Sequence, residues 1–302
     1  MHNNPLRAIF CVLCLSMVIG GCNMKRLVIR MSYPMVGEAI DSFFEEGDTV
    51  LAQQAAPGNL KLLEGMARGD SKNPAIQLAA SRLIAMYTFG YLEDSYEPGS
   101  DEEQVANQRA RALYLRGRDY AIRVLQMHAD FKKMMQMNLP DFRAALKVYQ
   151  KKQVPELLWA AFNWGLYINL SREDLAAMAE LSKVGAMAER VIELDESYYY
   201  GSAHIFMMVY HSSIPKSLGG DPDKAKAAFE RAWKISAGRY LPTKYLFAKN
   251  YCVQTQDRPL FEKMLNDILE APDDVLPEQA LATAVMKIKA KRLLKMADDL
   301  FL

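Results

Sequence analysis

The sequence has little cysteine, little histidine and no surplus of either charge. Four cysteines stand among 302 residues, at positions 11, 14, 22 and 252. So few thiols, three of them crowded at the N-terminus, exclude a disulfide framework and a thiolate metal cluster. The histidines are as sparse. His2 lies at the extreme N-terminus, and His204 and His211 are seven apart, which on a helix is one face but two turns, too far to chelate one ion unaided. Nothing places His128 beside them. There is no HExxH, and the double glycine at Gly219-Gly220 lacks the Lys-Ser or Lys-Thr pair of a phosphate loop. No catalytic residue, metal site or cofactor is expected. The acidic runs Asp101-Glu102-Glu103 and Asp195-Glu196 fall at helix ends, where capping and dipole compensation account for them.

Charge excludes another class. The chain carries 37 basic and 36 acidic residues. Loss of the first 21 residues would remove Arg7 alone and leave the two in balance. A neutral chain without a basic stripe has no field to gather nucleic acid.

Long apolar runs are also missing, with one exception. Ala8 to Ile19 follows Arg7 and is long enough for the core of an export signal but too short to span a bilayer. It ends in Ile19-Gly20-Gly21-Cys22, which resembles a bacterial lipobox. The reading is a signal peptide over residues 1–21, a diacyl or triacyl anchor of palmitate type on Cys22, and a tether over residues 22–32. The protein would then be periplasmic and held to the membrane by lipid alone. Asn23, in place of an aspartate, points to the outer membrane. Cys11 and Cys14 would leave with the signal, and Cys252 reads as a small core residue.

The rest is helical in pattern. Apolar residues recur at spacings of three and four, as in Tyr120, Val124, Met127, Phe131 and Met134, and period-two alternation is not sustained. Proline, glycine and aspartate clusters divide residues 33–302 into about ten helices in antiparallel pairs, forming one all-α domain. Ala225, Phe229 and Ala232 give a small-large-small face like that of a tetratricopeptide repeat, although Ser212 to Gly220 interrupts any strict period. Asp221 and Pro222 sit where an N-cap and a first helical residue belong, so the glycine loop turns a corner.

Aromatic residues are the remaining candidates for contact. Tyr198, Tyr199 and Tyr200 are consecutive, and a helix would set them about 100° apart, so they cannot share one buried stripe. Tyr199 and Tyr200 are the candidates for exposed contacts. Trp159 and Trp164, crowded on one helix with Phe162 and Tyr167, are candidates for a lining. Core packing is the competing explanation for each.

The run from Leu194 to Ser236, with "YLRGRDYAIRVL" at Tyr114–Leu125 and "LLWAAFNWGLYINLS" at Leu157–Ser171, resembles the TatT family, the T component associated with TRAP transporters. The likeness covers essentially the whole mature chain. It implies a periplasmic lipoprotein with cryptic tetratricopeptide-like repeats, assembled as a homotrimer with an internal channel. The implied partner is a TRAP-type substrate-binding protein carrying a small organic or hydrophobic ligand. The alternative is a lipoprotein that binds a small apolar molecule alone.

Overall fold

The computed structural model describes residues 5–214 and 220–301, with side chains from Met24 onward. Every regular element among them is helical. A long α1 (Pro5–Phe44) leads into α2 (Thr49–Gly69), α3 (Pro74–Tyr91), α4 (Asp101–Leu125), α5 (Phe131–Met135) and α6 (Leu139–Ala145). The central helices are α7 (Val154–Asn169), α8 (Leu175–Asp195), α9 (Tyr198–Ser213) and α10 (Pro222–Ile235). Then α11 (Pro242–Leu246) runs into a π turn at Phe247–Cys252, followed by α12 (Arg258–Glu270), α13 (Ala280–Lys295) and α14 (Ala297–Leu300). The described residues thus hold fourteen α-helical segments where about ten were expected. The extra four, α5, α6, α11 and α14, are pieces of one or two turns, too short for apolar periodicity to reveal. Positions 22–32, read as a tether, lie within α1. Cys22 is outside the residues whose side chains are described.

Short polar residues set the helix starts. Asp48, Asn73, Ser100, Asn138 and Asp174 each turn a side-chain oxygen onto free N–H groups of the first turn. Residues 215–219 of the glycine loop lie outside the described residues, but its corner is seen: Asp221 Oδ1 accepts from Lys224 N at 3.1 Å, and Pro222 opens α10. That N–H, with the Lys224 side chain, holds the Asp221 carboxyl below its ordinary range. A depressed carboxyl stabilises the fold above its unfolded pKa and loses that effect as pH falls through the folded value. Asp221→Ala should therefore lower the melting temperature at pH 7, with the gap to wild type closing below about pH 4. A gap independent of pH in thermal melts would show that the charge plays no part in the cap.

Helix neighbours in sequence pack together, α2 on α3, α3 on α4, α7 on α8 and α9 on α10. The order is not regular, because α4 packs along α7 across the intervening short helices, and a tetratricopeptide period is not established. Late in the chain α13 returns against α1 and α2, so the succession of helices closes on itself. One buried cluster joins the end of α1, α2 and α3 to the segments from Tyr240 to Ala297, and a second gathers α5 to α8. Met86 and Tyr199 pack against both. Cys252 belongs to the first cluster and is fully buried.

Where α3, α4 and α7 cross, a polar node is enclosed. Ser81 Oγ donates to the Gly117 carbonyl at 2.8 Å, and Asn163 Nδ2 donates to Ser81 Oγ at 3.2 Å and to Trp159 O at 2.9 Å. Gly117 is required there by space. A Cβ on it would lie 2.2 Å from Asn163 Oδ1 and 3.0 Å from Ile84 Cγ2.

Candidate functional site

Two apolar chambers lie inside the closed succession of helices. The smaller, of about 50 Å³, is walled by Phe43 and Phe44 of α1, Phe89 and Tyr91 of α3, Tyr240, and Leu281 and Val285 of α13. The larger, of about 110 Å³, lies between α7, α8, α9 and the π turn, with Leu166, Ile168, Met178, Leu181, Phe206 and Val209 on its walls. Phe89, Phe162, Ile205 and Leu246 line both chambers and form the partition between them. As they stand, the chambers are smaller than a drug-sized site of several hundred Å³. A ligand of any length would have to occupy both.

The larger chamber ends in charge. Glu93, 2% exposed, accepts from Tyr114 Oη at 3.0 Å. Next to it Asp94, in the left-handed region at φ 53, accepts from Lys249 Nζ at 2.5 Å and Tyr245 Oη at 3.2 Å. Lys289 Nζ donates to the Glu93 carbonyl at 2.5 Å, and Arg292 to the Asp94 carbonyl at 2.7 Å. Burial raises the pKa of Glu93 against the pull of Lys249. Burial also opposes the charge on Asp94, but Lys249 and Lys289 outweigh it and hold that carboxyl well below its usual range. Lys289 is pushed down to about 8 by burial. Asp94 is thus the firmly ionised acid among several cations. Arg172, at the outer end of the same chamber, bonds Asn169 Oδ1 at 3.2 Å and has no carboxylate within ion-pair range among the described residues.

A third space meets solvent. A depression of about 600 Å³ is bordered by Asp41, Arg82, Tyr199, Tyr200 and Gln279. Gln279 lines both this depression and the smaller chamber, and its Oε1 accepts from Tyr199 Oη at 3.1 Å. The Tyr199 ring meets Trp159 at 5.0 Å and Tyr200 at 5.4 Å, and the Arg82 guanidinium stands over it at 5.0 Å. Tyr200 stacks on Tyr240 at 4.8 Å.

The tyrosine triplet departs from the geometry assumed for it. Tyr199, Tyr200 and Gly201 have φ of 46°, 59° and 76°, so α9 is broken at its start and the helical spread of 100° does not apply. Left-handed backbone at two tyrosines is costly and persists only where packing enforces it. Tyr199 and Tyr200 are half-buried, bordering the depression while packing on the core. The two tryptophans are placed differently from a lining. Trp159 is 2% and Trp164 3% exposed, and neither touches a chamber. Trp164 Nε1 donates to Glu180 at 2.8 Å under the Arg118 guanidinium, so it joins α4, α7 and α8. Phe162, on another side of α7, takes the lining position instead. The acids at 93 and 94, and Lys249, were missed from sequence. The only available signal was an acidic pair inside the otherwise apolar "FGYLEDSY".

His204 Nε2 is hydrogen-bonded to Glu196 Oε2 at 3.0 Å, and Arg231 pairs with the same carboxylate. Arg231 first and His204 second hold Glu196 down to about 2, while burial lowers His204. Among the described residues no group of three histidine, cysteine or acidic side chains could hold a metal ion. None of the described helices is long and apolar enough to cross a membrane.

A family model for the TRAP transporter T-component matches residues 45–301. The chain belongs to that family. The match takes in the larger chamber, the charged end, the tyrosine break and all of the smaller chamber's walls except Phe43 and Phe44, and places the T-component with a transporter-associated family, not with enzymes. The T-component chain is also 25% identical to an uncharacterised protein of Treponema pallidum (strain Nichols), over 97% of this chain and 95% of the relative.

Proposed function

We propose that this T-component is a periplasmic lipoprotein, anchored through Cys22 at the outer membrane, that docks a TRAP-type substrate-binding protein. It works as a homotrimer built of tetratricopeptide-like helix pairs. Its two chambers receive or pass a small organic ligand of apolar body. The observation that carries this reading is the apolar double chamber in a member of a transporter-associated family. Apolar walls contribute burial without direction, and the Arg172 guanidinium at the outer end suits an acid group on the ligand.

The test is sedimentation of the mature chain, alone and mixed with a TRAP-type substrate-binding protein of the same organism. A trimer whose sedimentation shifts on mixing is expected. Decanoate should bind the mixture or the T-component more tightly than decanol, by about tenfold for one well-placed charge-assisted hydrogen bond. Saturable decanoate binding with no shift on mixing would favour the stand-alone lipoprotein. Absence of both would remove the reading.

A further inference from the structure

The start of the described side chains presents an apolar stripe to the outside. Ile29, Tyr33, Val36 and Ile40 recur at four, three and four residues and pack onto the core, which makes them the inner face of α1. Met24, Leu27, Val28, Met31 and Met35 are between 52% and 76% exposed. At 100° per residue these five fall on the side of α1 opposite that inner face, along about 16 Å of helix. Five large apolar side chains aligned on one outward strip differ from the scattered exposed leucine of an ordinary surface.

Charge says what covers them. From Met24 to Gly37 the chain contains Lys25, Arg26 and Arg30 and no acid. Lys25 and Arg30 stand on opposite flanks between the inner and outer faces, Arg30 reaching back to Asp70 at 2.8 Å, while Arg26 lies at the edge of the inner face. A second copy laid on this stripe would bring the same cations against one another. An anionic lipid surface would meet them with opposite charge and take the apolar side chains into its acyl boundary.

We propose that α1 from Met24 to Met35 lies in the interface of an anionic bilayer, with the Met24–Met35 stripe immersed and Lys25 at the headgroups. This rests on the reading of Cys22 as the acylated residue, which sets Met24 two residues from the lipid. Acyl chains alone hold a protein at a membrane but leave it free to tumble; an immersed helix would set which face of the domain points to the bilayer.

The experiment uses the mature, acylated protein in vesicles of phosphatidylethanolamine and phosphatidylglycerol. Spin labels are placed singly through Met31→Cys, Met35→Cys and, as a control on an exposed residue far along the chain, Val148→Cys. Native Cys252 is buried, with burial pushing its thiol up to about 12, so it does not compete for the label. Relaxation by oxygen should exceed relaxation by a water-soluble nickel complex at 31 and 35, and the order should invert at 148. Lys25→Gln should lower the immersed population roughly fivefold on these vesicles and leave it unchanged on phosphatidylcholine. Water-phase relaxation at 31 and 35 with Cys22 acylated overturns the proposal and leaves the anchor standing. Dipolar broadening between labels overturns it in favour of a second copy. The mass of the N-terminal peptide reports the anchor separately: lipid-phase labels on a chain without acyl groups would sink the anchor reading and keep the stripe.

Discussion

Gly117→Leu should lower the stability of the T-component by about 3 kcal/mol, the upper part of the usual range for overpacking, and its melting temperature by roughly 6–10 °C. The space beside Gly117 is already filled by Asn163 Oδ1 and Ile84 Cγ2. Neither can retreat without loss. Asn163 is held by Ser81 Oγ and Trp159 O, while Ile84 is fully buried. Moving α4 outward instead would break the bond from Ser81 to the Gly117 carbonyl, leaving a buried hydroxyl without its acceptor at a cost of about 1–3 kcal/mol. Gly117→Ala should show a smaller fall of the same sign, offset in part by the better helix propensity of alanine, worth up to about 1 kcal/mol. Denaturant and thermal unfolding of both variants decide the matter. Melting unchanged in the leucine variant would mean that α4 and α7 slide apart freely and that the node does not lock the crossing.

Phe162→Ala should cost about 2–4 kcal/mol, toward the lower end because the ring is half-buried, and should merge the two chambers into one. The ring lies edge-on to Trp159 at 5.8 Å, so the loss includes an aromatic contact as well as area. Binding of an apolar fluorescent probe should strengthen in this variant by up to about tenfold, since the joined space admits a longer molecule. Ile205→Trp, which fills the partition from α9, should abolish the same binding. The pair of variants separates function from packing. A stability loss in Phe162→Ala with probe binding identical in both variants and wild type would make the chambers mere imperfections of the core.

How much of this was legible beforehand depends on the range of the forces involved. Helix identity and most helix starts are local, because apolar spacing and a capping oxygen act within a few residues, and Asp221 with Pro222 could be placed from sequence alone. The tyrosine triplet could not. Its left-handed backbone is imposed by Trp159, Tyr240 and Gln279, which come from α7, from just before α11 and from just before α13. Trp159 and Trp164 read as a lining because composition shows only that they are large and partly polar. Which side of α7 faces a chamber is decided by α4 and α8, and that side carries Phe162.

By itself, then, the sequence determined the all-α class, the helix boundaries that proline and aspartate punctuate, the buried character of Cys252, and the family. Those follow from propensity, capping and pattern, which each residue carries with it. Tertiary structure alone decided that α13 closes back on α1 and α2, that two chambers remain where the helices fail to fill the interior, and that Lys249 and Lys289 meet Glu93 and Asp94 from more than 150 positions away. No local rule encodes those meetings. They are settled by which apolar faces can be buried at once by a single chain, and a change on any one helix shifts the answer for the rest.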